Sequence, residues 1–527
     1  MRKVNFLYIL LLLTFSLSTS LKAQDIEFVR GDCMPDLASD VTSGSTFKPG
    51  KGARLPRPLS EWDPAKTYHQ LVILVEFSDT KFKREEPLAA YNSIFNEKGY
   101  NEGEGIGCVS DYFSDQSEAT FNLKFDIYGP YPTSGKAQPY ANPTNNTRNY
   151  GKDAFAEAIN QFLEEHPDID FHQYDWNNDG YVNQVIFVCA GRCGNQGTTS
   201  YGYLWPNTSS IPSITTPDNL IITNYSSSAE LWNGSKSCGI GTICHEFSHS
   251  LGLPDIYPTG TGSSFYSVCD EWDLMDGGNF TNLGWCPPNL TAQEKMFLGW
   301  LTPIELSEPT TITEMEPISE GGNTYIIHHT TNEYLLLENR QRVGWDYGIP
   351  GKGLVISHVD FNANKWANNS VNSVDSHFLY DIVHADNLNY EQWNVIQPRT
   401  SKQWEISDKA LYNKHLSTSP YPWTPDTTSF ENRALTDNSV PATKMFNANT
   451  QGSKLLSKPI TNIQMTDNGL ISFDFMGGST TGIQIKERMN TNATAIYGLN
   501  GIRQSSVGRR GLFIIRKADG TIQKVLK

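Results

Sequence analysis

The stretch of sequence that decides the fold is Cys244-His-Glu-Phe-Ser-His-Ser-Leu-Gly-Leu-Pro-Asp255. His245 and His249 are four residues apart, so on a helix the two imidazoles lie on one face, one turn above the other. Two such nitrogens can bind a single Zn²⁺, and the spacing therefore predicts a zinc-binding helix. Glu246 can reach a water molecule at the open metal position, where a carboxylate can accept a proton and pass it on.

The end of the same segment predicts a third metal ligand. Gly252 follows the second histidine by three residues, where a helix can end in the left-handed conformation that glycine adopts easily. Pro254 prevents the helix from resuming. The chain therefore turns back, and Asp255 can supply the third ligand.

A second segment, Glu271-Trp-Asp-Leu-Met-Asp-Gly-Gly278, places Met275 ahead of two glycines. Metzincin metallopeptidases place a methionine in a tight turn beneath the zinc, and this segment resembles that turn. Alone, a methionine in a turn indicates ordinary packing more often than a metal site. The zinc-binding pattern upstream favours the metzincin interpretation of Met275.

The sequence resembles the immune inhibitor A family of secreted zinc metallopeptidases over about residues 68–305. The resemblance implies that His245, His249 and Asp255 bind Zn²⁺ and that Glu246 is the catalytic residue. The segments that carry it are Gly241-Thr-Ile-Cys-His-Glu-Phe-Ser-His-Ser-Leu-Gly-Leu-Pro-Asp-Ile-Tyr257, Trp272-Asp-Leu-Met-Asp-Gly-Gly278, Leu290-Thr-Ala-Gln-Glu-Lys-Met-Phe-Leu-Gly-Trp300, Leu71-Val-Ile-Leu-Val-Glu-Phe-Ser-Asp79 and Val109-Ser-Asp-Tyr-Phe113.

An alternative for the third ligand stays open. Another metallopeptidase class takes this ligand from a segment further along the chain, and Gly252 and Met275 argue against that arrangement. The residues that could serve it are Asp270, Glu271 and Asp273.

Charge is distributed unevenly along the 527 residues, whose 41 Lys and Arg against 57 Asp and Glu give a net charge of −16. Residues 1–23 carry +3 and residues 481–527 carry +7, which leaves −26 on residues 24–480. The acidity of residues 24–480 argues against binding to nucleic acid or to an anionic membrane, since phosphate contact needs clustered Lys and Arg.

The N-terminal residues are typical of an exported protein. Residues 1–23 have Arg2 and Lys3 ahead of a short apolar run, as in a signal peptide. Residues 24–65 form a predicted leader or propeptide. Within it, Cys33 is a candidate latency ligand, because some metzincin zymogens hold a propeptide thiolate on zinc. The alternative for Cys33 is a disulfide with one of the seven other cysteines.

The sequence predicts a multidomain protein. Residues 66–305 form an α/β, metzincin-like catalytic domain, with buried strands over 70–77 and 185–188 and a helix over about 152–165. Residues 306–476 contain separate β-type runs, which favour a β-sandwich-like domain. Residues 477–527 are predicted to be a linker and a small all-β domain that resembles the C-terminal sorting domain of the type IX secretion system. That resemblance implies the secretion machinery as a partner and the outside of a Gram-negative cell as the location.

A calcium loop is predicted in Asp175-Trp-Asn-Asn-Asp-Gly-Tyr181. Asp175, Asn177 and Asp179 place oxygen ligands at alternate positions, and Gly180 allows a sharp turn. The twelfth position is Ile186 and not Glu, so an EF-hand is excluded. The alternative is an Asx-rich surface turn that binds no ion.

These patterns together predict a secreted, monomeric zinc endopeptidase that hydrolyses extracellular proteins or peptides. Glu246 would act as base and then as acid. The alternative is a surface adhesin or carbohydrate-binding protein whose peptidase-like domain is inert. The presence of Glu246 argues against this alternative, because a binding domain does not need a base beside metal ligands.

Overall fold

The computed structural model describes most of the chain between residue 62 and residue 479, and four strands beyond it. The described ranges are 62–141, 150–192, 194–195, 203–232, 234–259, 267–387, 416–424, 431–479, 493–498, 503–504, 512–517 and 522–526. The predicted signal peptide and Cys33 lie outside the described residues.

The first sheet has six strands in the order β2-β1-β3-β5-β4, with β6 paired to β5. The three central pairings, β1 with β2, β1 with β3 and β3 with β5, are parallel, whereas β4 is an antiparallel edge strand. The strands are β1 (Thr67–Glu76), β2 (Asn122–Pro132), β3 (Val185–Arg192), β4 (Thr208–Thr215), β5 (Ile221–Trp232) and β6 (Lys236–Ser237).

Helices cover both faces of this sheet, because its central strands are apolar on both sides. Alternate residues of β1 enter different cores: Leu71 and Ile73 belong to the core on one face of the sheet, and Val72 and Leu74 to the core on the other face. The helices are α1 (Pro87–Asn96), α2 (Val109–Gln116), α3 (Ala137–Ala141), α4 (Lys152–Glu165), α5 (Gly241–Ser250), α6 (Ala292–Phe297) and α7 (Ala363–Ala367).

The α/β character predicted for this region agrees with the structure. The strand at β1, the strand at β3 and the helix at α4 lie where their apolar patterns predict them. In α4 the residues at helical spacing, including Phe155, Ile159 and Phe162, are all buried. α5 is buried along its whole length on the opposite face of the sheet.

Two further sheets follow residue 303. One has the order β12-β11-β10-β9-β7 and the other the order β13-β14-β8, and they share one apolar core that includes Leu335, Ile356 and Phe473. The strands are β7 (Ile304–Glu305), β8 (Thr310–Met315), β9 (Tyr325–His328), β10 (Glu333–Arg340), β11 (Gly353–Asp360), β12 (Tyr380–Ile382), β13 (Ile460–Met465) and β14 (Ile471–Phe475).

One apolar core crosses the predicted domain boundary at residue 305. It contains Phe113 and Phe247 of the first region together with Leu336 and Trp345 of the second. The Trp345 indole also donates to Asp115 Oδ2 at 3.0 Å. The two regions are therefore packed against each other, and the position of the boundary stays a prediction.

The last described strands form a four-stranded antiparallel sheet in the order β16-β15-β17-β18. They are β15 (Ala493–Gly498), β16 (Arg503–Gln504), β17 (Leu512–Lys517) and β18 (Ile522–Leu526). Within the described ranges, no helix has the length and apolar character needed to cross a membrane. The buried cysteines Cys108, Cys244, Cys269 and Cys286 are free thiols.

Candidate metal centre

Three buried side chains meet at the C-terminal half of α5. His245 and His249 project from one face of the helix, and each Nε2 atom lies 3.2 Å from Asp255 Oδ1. The three side chains can offer one ligand atom each, with all three atoms within 4.8 Å of one another. Two nitrogens and one oxygen in this arrangement are a donor set that suits Zn²⁺ with one position left open.

Backbone carbonyls fix the tautomer of both histidines. His245 Nδ1 lies 2.8 Å from the Leu274 carbonyl oxygen, and His249 Nδ1 lies 2.8 Å from that of Leu253. A carbonyl can only accept, so each Nδ1 carries the proton and donates it. Nε2 is therefore the nitrogen of each ring that would bind a metal.

Asp255 reaches the histidines because the helix ends sharply. Gly252 has φ +100°, a conformation that favours glycine. Beyond it, Asp255 Oδ1 is buried and accepts no hydrogen bond, whereas Oδ2 accepts one from the Asn369 side-chain amide at 2.6 Å. A buried, unpaired carboxylate oxygen is costly, and a metal ion between Oδ1 and the two imidazoles would satisfy it.

The electrostatics of the cluster favour a cation. Burial alone would lower the pKa of His249, but the adjacent Asp255 carboxylate raises it to about 9. Burial would raise the pKa of Asp255, yet His249 and His245 hold it well below its usual range. The site thus attracts positive charge, which a divalent cation would supply in place of a proton.

Glu246 lies beside this cluster and is held by Thr208, the first residue of β4. The Thr208 hydroxyl lies 2.8 Å from Glu246 Oε2 and 2.7 Å from the Glu246 backbone carbonyl. Burial is the largest influence on Glu246 and raises its pKa, although both histidines oppose it. A carboxyl whose pKa is raised is suited to general acid–base chemistry.

The Met275 turn lies against the same site. The Met275 side chain is fully buried, its carbonyl accepts from Ile256 N at 2.8 Å, and its amide donates to Asp273 Oδ1 at 2.7 Å. Leu274, the preceding residue, supplies the carbonyl that orients His245. The turn therefore supports both the first histidine and the loop that carries Asp255.

The structure brings Asp255 to the two histidines, and does not bring there the alternative third ligands. Those alternatives, Asp270, Glu271 and Asp273, are buried around the Met275 turn instead. Among the described residues, one other group of three candidate ligands forms, and it lies at the protein surface: Asp170, His172 and Asp218.

With the geometry in place, comparison with known proteins identifies the segment. Residues 216–300 match the family model described as the catalytic domain of immune inhibitor A peptidase M6. The resemblance to the immune inhibitor A family is confirmed. This M6-like segment, residues 216–300, contains α5, Asp255, the Met275 turn and α6.

Two proteins illustrate the likeness beyond the M6-like segment. "Immune inhibitor A" of Bacillus thuringiensis subsp. alesti is 25% identical over 272 residues, which cover 43% of this chain and 39% of that protein. "Pre-pro-metalloprotease PrtV" of Vibrio cholerae serotype O1 is 23% identical over 258 residues, which cover 42% of this chain and 27% of that protein. The alignments therefore span well under half of either relative.

The predicted calcium loop lies outside the M6-like segment and is stabilised by hydrogen bonds among its own residues. Asp175 is buried, and its carboxylate accepts from the backbone amides of Asp179 and Gly180 at 3.1 and 2.9 Å. The Asn177 amide donates to Asp179 Oδ2 at 3.1 Å. These bonds are those of an Asx-type turn, and calcium binding by this loop stays a prediction.

Two residues that hold the site were missed by the sequence reasoning. Thr208 lies 38 positions before Glu246, and Asn369 lies 114 positions after Asp255. Neither belongs to a recognisable motif, and Asn369 lies beyond the M6-like segment. Only the folded chain brings them to the metal centre.

Proposed function

We propose that this chain is a secreted, zinc-dependent endopeptidase that hydrolyses peptide bonds of extracellular proteins. The observation that carries the proposal is the buried Asp255 Oδ1 atom, which accepts no hydrogen bond and lies 3.2 Å from both Nε2 atoms, with the Glu246 carboxylate beside them. His245, His249 and Asp255 would hold the metal. When bound, Zn²⁺ supplies a Lewis acid that polarises the scissile carbonyl and lowers the pKa of a coordinated water.

Residues of this chain would carry out the proton transfers. Glu246 takes the proton from the attacking water and then delivers it to the leaving amine. Its burial favours both steps, because a carboxyl with a raised pKa accepts a proton more readily than an exposed carboxyl does. Thr208 keeps the Glu246 carboxylate in place for both transfers.

Secretion is part of the same proposal. The N-terminal pattern of residues 1–23 supports export, and the names of the relatives include a pre-pro-metalloprotease. We infer that residues 477–527 address the chain to the secretion machinery and that the enzyme acts outside the cell as a monomer. Latency through Cys33 and calcium at Asp175, Asn177 and Asp179 remain part of this hypothesis.

The test is a Glu246→Gln variant, which preserves the shape of the side chain and removes its ability to take a proton. Casein hydrolysis should fall by about 10²- to 10⁴-fold, while one zinc per chain is retained, as measured by metal analysis. Chelation should silence the parent enzyme, and added Zn²⁺ should restore it. A variant that digests casein as fast as the parent would refute the mechanism.

A further inference from the structure

The loop after the metal-binding helix is held by residues 362–372, a segment between β11 and β12 and outside the M6-like segment. The Trp366 indole donates to the Gly252 carbonyl at 3.2 Å. The Asn372 amide donates to the Ile256 carbonyl at 2.8 Å. These two bonds hold the backbone on either side of Asp255.

Between these two contacts, Asn369 forms two hydrogen bonds with Asp255. Asn369 Oδ1 accepts from the Asp255 backbone amide, and Asn369 Nδ2 donates to Asp255 Oδ2, both at 2.6 Å. Because the backbone amide can only donate, the oxygen of the Asn369 side chain must face it. The amide NH₂ therefore faces the carboxylate, and the orientation of the side chain is fixed by its partners.

These two hydrogen bonds are buried, and they depend on the backbone conformation of Asn369. Asn369 is 6% exposed and has φ +51°, a left-handed conformation that asparagine tolerates better than most residues. Its hydrogen bond occupies Asp255 Oδ2 and leaves Oδ1 directed at His245 and His249. The two carboxylate oxygens thus have separate partners.

We propose that Asn369 is the positioning residue of the third metal ligand: it fixes the Asp255 carboxylate with Oδ1 toward the metal. The inference rests on the proposed function, since it assumes that His245, His249 and Asp255 bind zinc. A carboxylate held in its ligating rotamer loses less conformational freedom on binding. Outer-sphere partners of this kind contribute about 10- to 100-fold in metal affinity.

The test measures the Zn²⁺ affinity of the metal-free chain by competition with a chromophoric chelator, independently of peptidase activity. Asn369→Gly removes both hydrogen bonds to Asp255 and tolerates the left-handed backbone conformation, so Zn²⁺ affinity should fall about 10- to 100-fold. Asn369→Asp keeps the shape and the acceptor but removes the donor, and should show a similar loss at pH 8. The matched control is Asn368→Gly, the same substitution at the neighbouring exposed asparagine, whose amide donates to the Asn364 carbonyl and not to Asp255; it should bind Zn²⁺ within about twofold of the parent.

A double-mutant cycle separates positioning from a general structural effect. In an Asp255→Ala background, Asn369→Gly should cause no further loss of Zn²⁺ affinity, because the side chain it positions is gone. An equal loss in that background, or unchanged affinity in both Asn369 variants, would overturn this assignment while leaving the proposed function standing. A parent chain that binds no Zn²⁺ would instead overturn the proposed function itself.

Discussion

Glu246 needs a fixed orientation as well as a suitable pKa, and Thr208 supplies it. The threonine hydroxyl is buried and contacts both the carboxylate and the carbonyl of the same glutamate. A hydrogen bond to a charged group of this kind contributes about 1.5–3 kcal/mol. Thr208 therefore limits the positions that the proposed base can occupy beside the candidate metal centre.

Thr208→Val removes the hydroxyl at nearly constant volume. Because Glu246 would lose its donor, kcat for casein should fall by about 10- to 100-fold, while zinc content and KM stay close to the parental values. Steady-state kinetics with metal analysis would check this. Thr215→Val, at the exposed end of the same strand, is the control and should be silent. Unchanged kcat in Thr208→Val would show that the contact does not position the base.

The residues of the metal centre were predictable only where local spacing encodes them. His245, Glu246 and His249 share one helical turn, and Gly252 with Pro254 explains how Asp255 returns to them. Partners brought in by tertiary packing leave no periodic trace in the sequence. That is why sequence reasoning reached the ligands but neither of the side chains that hold them.

At the scale of elements, the Met275 turn and α6 meet through a pair of buried carboxyl groups. Glu294 accepts from the Thr291 amide at 2.7 Å in a capping box at the start of α6. Burial raises its pKa to about 7. Burial, together with Glu294 and Asp276, raises the pKa of Asp273 well above its usual range. The pair is therefore held by a shared proton near neutral pH.

This pair predicts a pH dependence of stability. The folded chain keeps a proton on Glu294 up to about pH 7, whereas the unfolded chain releases it near pH 4.5. The folded state thus binds more protons in this window, and the free energy of unfolding should fall as pH rises from about 4.5 to about 7. Above that window Glu294 is deprotonated in both states, and its contribution stays lost.

Glu294→Gln should remove that contribution, because the amide donates to Asp273 without needing a proton from solvent. Relative to the parent, the variant should gain stability between about pH 4.5 and pH 7 and keep the gain at pH 8. Thermal unfolding across this range would check it. Glu308→Gln, at an exposed position, is the control. A parent-minus-variant difference that does not change with pH would contradict the shared proton.

Elements with a clear apolar period were predictable, and those without one were not. β1 and α4 are recognisable in the sequence because each contains a pattern of apolar residues, which the structure buries. β5 contains the polar stretch Tyr225-Ser-Ser-Ser-Ala-Glu230, which is nonetheless buried between β3 and β4. Backbone pairing with β3 and β4 holds this strand in the sheet without a run of apolar side chains, so the sequence offers no pattern for it.

At the scale of the whole molecule, the proposed catalytic region and the following sheets depend on each other. Tyr112 packs edge-on against Trp345 at 5.0 Å between ring centres, and Arg340 donates to the Asn289 carbonyl at 3.4 Å. The Trp272 indole donates to the Leu416 carbonyl at 3.1 Å. A chain ending at the predicted boundary would expose all of these surfaces to water.

A chain of residues 62–305 should therefore fail to fold cooperatively. It keeps every proposed zinc ligand but loses 12 of the 45 buried residues of the shared core and the whole of segment 362–372. Near-UV circular dichroism and thermal unfolding should show no sharp transition, and zinc should bind weakly. A chain of residues 62–479 is the matched control and should unfold in one transition. A stable, zinc-binding 62–305 chain would show that the two regions are separable.

Asn369 has a consequence for how such a centre can be inherited. A gene rearrangement that joined residues 216–300 to a different downstream partner would deliver both histidines, Glu246 and Asp255 in one piece. It would leave behind the asparagine that directs Asp255. The recombinant protein would carry an intact metal-binding motif but an impaired metal centre. If Asn369 positions Asp255 as proposed, a working centre therefore depends on residues far beyond the motif by which it is recognised.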